Sequence, residues 1–259
     1  MSHNNTMKGV ILAGGRATRL HPLTLVTNKH LLPVFNKPVI SYVIEKMVRL
    51  GIDKIMIVTS PEHVEDFIKL LGSGEGFKPN GRGSQIQIVY GIQNEPNGIA
   101  QGLWIAKDYV GQDACMLCLG DNIIEDDLES QVRDFAEGSA IFLKEVEDPS
   151  AFGVAEIDTN GNVLGIEEKP KIPKSNFIVT GVYLYDNTVF DKFEGIQKSD
   201  RGEYEINYIN NQYIKEGKMK SHFLHKAWFD TGTFEGLAEA NKYMQEKANT
   251  VDSTKSHDI

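Results

Sequence analysis

Two aspartates directly follow apolar segments, in positions where a carboxylate can face a ligand. Asp121 comes after the apolar run 114–119, and Asp230 lies within Trp228-Phe-Asp-Thr-Gly-Thr233. Carboxylate oxygens are the ligands that Mg²⁺ prefers, and a magnesium site commonly uses one or two of them together with phosphates and waters. Taken alone, the two residues are explained at least as well as helix caps or turn formers.

A glycine-containing turn follows the first apolar segment, in the stretch Leu12-Ala-Gly-Gly-Arg-Ala-Thr-Arg-Leu20. Gly14 and Gly15 let the backbone approach a ligand closely and aim several N–H groups at phosphate oxygens. Arg19 and Lys29 follow at distances that could bring two cations over the same phosphates. A tight strand–helix turn with two solvated cations explains the stretch equally well.

The turn matches neither of two common nucleotide-binding patterns. It lacks the Gly-Lys-Ser/Thr of a Walker loop, and G-x-G-x-x-G does not fit it. The second mismatch sets aside a nicotinamide-dependent dehydrogenase, which needs that turn and an acidic residue about 20 positions further on.

The turn belongs to a longer set of motifs that resembles the sugar-1-phosphate nucleotidylyltransferases. The set continues through Thr27-Asn-Lys-His-Leu-Leu-Pro-Val34 and Lys37-Pro38, and the resemblance extends to about Met244. Members of this family join a nucleoside triphosphate to a sugar 1-phosphate in the presence of Mg²⁺ and release pyrophosphate. Within the family the chain is most similar to members that use dTTP and α-D-glucose 1-phosphate, so the resemblance implies these substrates.

The reaction that the resemblance implies is an in-line attack by a phosphate oxygen on the α-phosphorus of the nucleotide. Because this nucleophile is already ionised at pH 7, the protein needs no general base. It must instead bring two anions together and stabilise the charge on the leaving pyrophosphate. The resemblance implies that Arg19, Lys29 and Lys169 are the catalytic cations and that Asp121 and Asp230 hold Mg²⁺.

The resemblance also implies two substrate pockets. The amide of Gln93 can both donate to and accept from the imide edge of thymine or uracil. These bases differ by one methyl group, worth about 1–3 kcal/mol in a fitted pocket, so UTP is an alternative to dTTP. Another triphosphate or another sugar 1-phosphate are further alternatives. The implied nucleotide-binding residues are Leu12, Gly14, Gly15, Gln93, Gly98 and Asp121, and the implied sugar-phosphate-binding residues are Gly153, Glu168, Lys169, Tyr183, Arg201 and Glu203.

The sequence departs from the family pattern at two places. The family turn usually has a third glycine where this chain has Ala17, and a positive φ there would cost alanine about 1 kcal/mol. A catalytically impaired regulator that binds nucleotide-sugars is therefore an alternative function. On the sugar side, the family pattern Glu-Leu-Glu-Ile-Thr-Asp is replaced by Glu203-Tyr-Glu-Ile-Asn-Tyr208.

The elements that must position these residues alternate between apolar runs and amphipathic stretches. This alternation predicts an α/β fold, a Rossmann-like three-layer sandwich with a mostly parallel central sheet, whose ligands lie at the carboxyl ends of the strands. The second half predicts a small β-rich sugar-binding lobe that begins with a hairpin of 153–157 and 163–167. The other predicted strands are 8–13, 54–59, 85–90, 114–119, 139–146, 177–185 and 222–228, and the predicted helices are 39–50, 61–71, 98–109, 126–137, 188–193, 204–215 and 234–247.

Length and composition predict one domain. Within the 259 residues, we expect a nucleotide-binding half at about 7–125, a sugar-phosphate-binding half at about 126–248, and flexible tails at 1–6 and 249–259. Cys115 and Cys118 form a C-x-x-C pattern, but residues three apart on a strand point to opposite faces, so we interpret both as core residues.

Charge and hydropathy limit the classes of partner that we expect for this protein. A formal net charge of -9 disfavours nucleic acid as a partner. There is no apolar run of about 18 residues and no apolar segment near the start, so we expect no membrane partner and a cytoplasmic protein. The resemblance implies a homo-oligomer, commonly a tetramer.

Overall fold

The structure is a computed structural model that describes residues 7–78 and 85–255, with side chains described up to residue 250. Of the predicted flexible tails, residues 1–6 and 256–259 lie outside the described residues. The strands are β1 (Met7–Leu12), β2 (Pro33–Val34), β3 (Lys37–Pro38), β4 (Lys54–Thr59), β5 (Gln87–Ile92), β6 (Ala114–Leu119), β7 (Asn122–Ile124), β8 (Ser139–Glu145), β9 (Gly153–Ile157), β10 (Val163–Glu168), β11 (Phe177–Tyr185), β12 (Met219–Phe223) and β13 (Trp228–Asp230). The helices are α1 (Val39–Arg49), α2 (Val64–Leu71), α3 (Ile99–Ile105), α4 (Lys107–Val110), α5 (Glu129–Arg133), α6 (Ile206–Lys215) and α7 (Phe234–Lys255), and short 3-10 turns cover 18–20, 23–25, 29–31 and 187–193.

A nine-stranded sheet forms the centre of the protein and confirms the predicted fold class. Its main path runs β10-β9-β11-β6-β1-β4-β5, with β8 paired to β11 and β12 paired to β8. The strands β6, β1, β4 and β5 are parallel, as expected when helical connections join them. The β-rich second half continues the same sheet, because β11 runs antiparallel to β6 with Val182 opposite Cys118.

Two buried clusters lie on opposite faces of the sheet and complete the three layers. On β1, Ile11 packs into the cluster that contains α1 and α2, whereas Val10 and Leu12 pack into the cluster that contains α3 and α6. The same alternation puts Cys118 in the first cluster and Cys115 in the second. Both thiols are buried and free, so the interpretation of the C-x-x-C pattern as core packing is confirmed.

The region after β6 differs most from the sequence prediction. The predicted strand 222–228 is wrong, because two separate strands, β12 and β13, replace it. The Asp126 carboxylate accepts from the backbone N–H groups of His225 (2.9 Å) and Lys226 (2.8 Å), so the chain turns between the two strands. Of the predicted helix 126–137, only α5 is helical. An unpredicted strand, β7, lies just before the region and pairs with β13.

Two further observations concern the helices. The last helix, α7, continues to Lys255, eight residues beyond the predicted end at 247, so 249–255 of the expected flexible tail are helical. Among the described residues, no helix combines the length and the apolar character needed to span a membrane.

Candidate active site

A cleft of about 610 Å³ opens at the carboxyl ends of β1, β5 and β6, where the strand alternation predicted a ligand site. Every predicted site residue lines this one cleft. The glycine turn, Gln93 and Asp121 follow the three strands directly, while the predicted sugar-phosphate residues form the facing wall. The lining includes Leu12, Gly14, Gly15, Arg19, Lys29, Gln93, Gly98, Asp121, Gly153, Glu168, Lys169, Tyr183, Arg201, Glu203 and Asp230.

The turn after β1 is open to the cleft at its second glycine. Gly15 has φ +99° and nothing within 4 Å of the position that a Cβ would take. At Gly14 a Cβ would lie 2.9 Å from Gln93 Oε1, so the missing side chain lets the two segments approach each other.

Ala17 has the backbone conformation that the sequence analysis identified as costly. Its φ of 49° and ψ of 39° lie in the left-handed region. The conformation is held in place because the Ala17 carbonyl accepts from the Thr24 hydroxyl (2.8 Å) and from the Leu20 N–H (3.0 Å). A glycine would adopt it without the steric cost that a Cβ brings.

Asp121 and Asp230 are brought together by the pairing of β7 with β13. Asp230 is opposite Asn122 in this pairing, and Thr231 donates its N–H (3.0 Å) and hydroxyl (2.9 Å) to the Asp121 carbonyl. A Cβ on Gly232 would lie 2.9 Å from Asp230 Oδ1 and 3.2 Å from Asp121 Oδ2. The two carboxylates therefore surround the same small volume, which glycine leaves free.

Each carboxylate is paired with one cation of the turn region. Lys29 Nζ contacts Asp121 Oδ2 closely, and Arg19 lies 3.6 Å from Asp230 Oδ2. The Lys29–Asp121 pair is largely buried, whereas more than half of the Arg19 side chain is exposed. Two of the three predicted catalytic cations thus lie at the predicted metal site.

The two carboxylates have pKa values shifted in opposite directions. Burial alone would raise the pKa of Asp121, but the Lys29 charge and hydrogen bonds from Lys29 and Asn122 outweigh it and hold that pKa well below its usual value. Burial, followed by the negative charge of Asp121, raises the pKa of Asp230. A nearby positive charge would therefore stabilise the ionised form of Asp230, which its surroundings disfavour.

This donor set fits a magnesium ion. The two carboxylates and Arg19 Nη2 (2.9 Å) converge on the position that a Cβ of Gly232 would take, and a divalent cation would offset both the burial and the Asp121 charge that raise the Asp230 pKa. No group of three or more His, Cys, Asp or Glu side chains suited to a metal occurs in the part of the chain that the structure describes. Mg²⁺ is usually held by one or two carboxylates plus phosphates and waters, so the Asp121–Asp230 pair could hold it.

Gln93 is fixed by neighbouring polar groups. Its Nε2 donates to the Gly98 carbonyl (3.2 Å) and to Gln101 Oε1 (2.9 Å), and among the described residues no group donates to its Oε1. Gly98 itself has φ +101°, and a Cβ there would lie 2.6 Å from the Tyr204 carbonyl oxygen. Gly98 is thus required for local packing as well as for the shape of the pocket.

The facing wall contains an arginine shared among carboxylates. Arg201 lies 3.2 Å from Glu168, 3.3 Å from Glu203 and 3.2 Å from Glu205. Burial, and then the charge of Glu205, raises the pKa of Glu168. With three acids around one guanidinium, this wall carries excess negative charge and many hydrogen-bond acceptors.

Lys169 is the exposed cation of the same wall. Its φ of 45° puts a non-glycine residue in the left-handed region, and its N–H donates to the Phe152 carbonyl (2.9 Å). Within the described residues its side chain has no ion pair. Tyr183 on β11 also lines the cleft and is buried, and burial raises the pKa of its phenol.

Some residues that line the cleft were missed in the sequence analysis. The sequence offered a signal only for Asn207, which falls at a departure from the family pattern. His30 is fully buried, its Nδ1 lies 2.6 Å from Asn28 Oδ1, and burial followed by the Lys29 charge lowers its pKa to about 3. The other missed polar lining residues are Arg16, Glu95, Asn97, Asn122, Glu205 and Trp228.

The chain is similar to known nucleotidyl transferases. Residues 8–247 match the family described as nucleotidyl transferase, and the chain belongs to that family. A UDP-glucose pyrophosphorylase solved with UDP-glucose has the same fold, with a TM-score of 0.80 over 93% of this chain and 99% of that one at 22% identity.

More similar relatives carry a more specific name. The glucose-1-phosphate thymidylyltransferase of Mycolicibacterium smegmatis is 43% identical over 92% of this chain and 82% of its own. That of Neisseria meningitidis is 40% identical over 94% of this chain and 84% of its own. A provisionally named glucose-1-phosphate thymidylyltransferase from Bacillus anthracis, solved with sucrose, is 44% identical with a TM-score of 0.84, covering 92% of this chain and 94% of that one. The resemblance inferred from the motifs is thereby confirmed.

Proposed function

We propose that this protein transfers a thymidylyl group from dTTP to α-D-glucose 1-phosphate, giving dTDP-glucose and pyrophosphate. The observation that carries the proposal is a single cleft in which the glycine turn, Gln93, the Asp121–Asp230 pair and the Lys169 wall meet. The product would enter deoxysugar and cell-surface polysaccharide synthesis.

The nucleotide would lie along the carboxyl ends of β1 and β5. The open backbone at Gly15 is available to phosphate oxygens. Because both amide hydrogens of Gln93 are used within the protein, its Oε1 would accept the imide N–H of thymine or uracil. Cytosine has an acceptor at the corresponding ring position, so this arrangement selects against CTP.

The sugar phosphate would bind the facing wall. Lys169, which lacks an ion pair in the described structure, would neutralise its phosphate and hold the attacking oxygen close to the nucleotide. Glu168 and Glu203 would accept hydrogen bonds from sugar hydroxyls, while Gly153 and Tyr183 would line the pocket. Arg201, already shared among three carboxylates, would fix those acceptors and assist Lys169.

Asp121 and Asp230 would hold Mg²⁺, which when bound would polarise the reacting phosphate and neutralise part of its charge. Lys29 and Arg19, which pair with these carboxylates in the described structure, would then donate to phosphate oxygens and stabilise the leaving pyrophosphate. His30 would remain uncharged at neutral pH, because its pKa is about 3, and would add no charge to the site.

Pyrophosphate release tests the proposal. dTTP, UTP, CTP, ATP and GTP would each be paired with several sugar 1-phosphates and Mg²⁺. Fast release with dTTP and glucose 1-phosphate is expected. Release with another pair would keep the chemistry and change the substrates, and silence across the panel would remove the activity.

The conformation of Ala17 favours a second candidate, a regulator that binds nucleotide-sugars without turnover. Ala17 has a positive φ, which its Cβ disfavours, at a position where the family has glycine, so the alanine strains the turn that the proposed nucleotide phosphates would contact. This candidate predicts thermal stabilisation by dTTP or dTDP-glucose, no pyrophosphate release, and restored activity in Ala17→Gly.

Three finer proposals accompany the activity. Residues 7–125 would supply most of the nucleotide site and 126–248 most of the sugar-phosphate site. The proposed substrates favour a reaction in the cytoplasm, where nucleoside triphosphates are available. The family resemblance implies a homo-oligomer, commonly a tetramer, and light scattering after size-exclusion chromatography would measure it.

A further inference from the structure

The Glu168 carboxylate is held from both sides in the cleft. Its Oε1 accepts from Arg201 at 3.2 Å, and its Oε2 accepts from Asn207 Nδ2 at 2.8 Å. Asn207 is buried on α6 and stands at the departure from the family pattern described above. Asn207 therefore contacts a proposed sugar-binding acceptor, at a position where this chain differs from the family pattern.

The orientation of the Asn207 amide is set by a chain of buried groups behind it. Its Oδ1 accepts from Asn210 Nδ2 at 3.3 Å, and Asn210 Oδ1 in turn accepts from the Tyr185 hydroxyl at 2.6 Å. The Tyr185 hydroxyl donates in this contact, so Asn210 presents its oxygen to Tyr185 and its nitrogen to Asn207. Each link then donates towards the next, and the last donor points at Glu168.

The start of this relay is rigid. Tyr185 is fully buried on β11 and its ring stacks between Tyr183 (6.0 Å between ring centres) and Tyr213 (5.9 Å). Asn207 and Asn210 are three residues apart on α6, so they lie on one face of that helix. A core tyrosine, a helix and the cleft are therefore joined by three directional hydrogen bonds.

Gly153 leaves room for the final link. A Cβ at Gly153 would lie 2.8 Å from Asn207 Nδ2 and 3.2 Å from Glu168 Oε2, and would push the two apart. The absence of a side chain at Gly153 thus has a use beyond lining the pocket.

We propose that Asn207 is a positioning residue for sugar recognition, which orients Glu168 through the Tyr185–Asn210–Asn207 relay so that its carboxylate accepts from a sugar hydroxyl. The inference rests on the proposed function, because it assigns the sugar side of the same cleft. It explains why an amide at position 207 is compatible with sugar binding: an amide can accept from Asn210 and donate to Glu168 at once.

Asn207→Asp is the informative variant, since it keeps the size and the acceptor but removes the donor. An acidic residue in the first turn of α6 also agrees with the helix dipole, so the fold should be retained. At pH 8 the variant should raise the KM for glucose 1-phosphate about tenfold or more, while the KM for dTTP stays within about twofold. The matched control is Asn211→Asp on the same helix, whose side chain bonds to the Ile166 backbone outside the cleft and should change neither KM.

A pH series separates positioning from a merely structural role. At lower pH a proton shared by Asp at position 207 and Glu168 restores the donor, so the variant-to-wild-type KM ratio should fall from pH 8 to pH 6. Burial and the acids around Glu168 favour this proton uptake. The charged and titratable groups that face Glu168 are Lys169 after β10, Tyr183 on β11, and Arg201, Glu203 and Glu205 before α6.

Tyr185→Phe tests the far end of the relay, which Asn210 and Asn207 separate from Glu168. We expect a two- to fivefold rise in the KM for glucose 1-phosphate with the KM for dTTP unchanged. Unchanged KM values in Tyr185→Phe would overturn the relay, and a pH-independent defect or equal losses for both substrates in Asn207→Asp would overturn the positioning role. If the wild-type protein fails in the pyrophosphate panel, the proposed function fails first, and the inference with it.

Discussion

A few non-glycine residues have a positive φ, and two of them lie in or beside the cleft. Within the described residues these are Ala17, Phe35 and Lys169, and the first and last line or adjoin the proposed phosphate positions. Such conformations cost energy and persist where surrounding structure enforces them, most often at functional sites. The φ of Ala17 could not be predicted from the sequence, because it depends on the hydrogen bonds from Thr24 and Leu20 that hold the turn.

Ala17→Gly should stabilise the protein. Removing the Cβ relieves the left-handed strain, and after the extra backbone entropy of glycine in the unfolded chain about 0.5–1 kcal/mol should remain. Urea unfolding measures this difference. The matched control is Ala238→Gly on the exposed face of α7, which should destabilise by about 1 kcal/mol. A loss of stability in both variants would contradict the account of strain at Ala17.

Asp121→Asn and Asp230→Asn should each reduce turnover strongly while leaving the fold intact. Each change keeps the shape but removes a charged oxygen from the pair around Gly232. We expect losses greater than the roughly 10–100-fold typical of groups that only support metal ligands. Initial rates should be measured over a range of Mg²⁺ concentrations, with circular dichroism as the check on folding. Near-normal rates for both variants at saturating Mg²⁺ would remove the metal assignment.

At the scale of elements, the short strands β7 and β13 hold the proposed metal-binding carboxylates, Asp121 and Asp230, in position. Neither strand was predicted with its observed limits, because each has only three residues and no pattern distinguishes so short a segment. The long elements β1, α1, β4, β6 and β11 were predicted well, since their burial follows from helical or strand periodicity. The hydrogen bond that Asn207 donates to Glu168 and those that the Asp126 carboxylate accepts join residues far apart in sequence, so no local pattern predicts them.

Asp126→Ala should destabilise the loop that leads into β13. Asp126 is buried and accepts from two backbone N–H groups, of His225 and Lys226, which would be left without a partner. The free energy of unfolding should fall by about 1–3 kcal/mol, and Mg²⁺-dependent turnover should fall as well because Asp230 lies on β13. Asp127→Ala, an exposed neighbour that accepts from Glu129, is the control and should change stability by less than about 1 kcal/mol. Equal effects in the two variants would contradict a special role for Asp126.

At the scale of the whole molecule, the sheet that carries the cleft also unites the two halves of the chain. The sequence alternation predicted the layers and the end of the sheet where ligands lie, and all proposed site residues do meet there. It did not predict the strand order, since pairing between β11 and β6 depends on residues about 65 positions apart.

The burial of His30 should make global stability depend on pH. Its pKa is about 3 in the folded protein against an ordinary value of 6.5, so between these values the unfolded chain binds a proton that the folded chain does not. The free energy of unfolding should therefore fall as the pH drops below 6.5, by up to about 1.4 kcal/mol per pH unit. Urea unfolding from pH 7 to pH 5 measures the slope. His30→Gln should flatten it, and an identical slope in that variant would assign the acid sensitivity to other groups.

The insertion of β11 beside β6 also has a consequence for biosynthesis. While the ribosome has released only the first half of the chain, β6 has β1 on one side and nothing on the other, because its second neighbour ends at Tyr185. An unpaired, apolar strand edge of this kind is a template for aggregation until its partner arrives. The nascent protein must therefore delay closing its central sheet until β11 has emerged, and a polypeptide ending near residue 125 would be aggregation-prone rather than a working nucleotide-binding fragment.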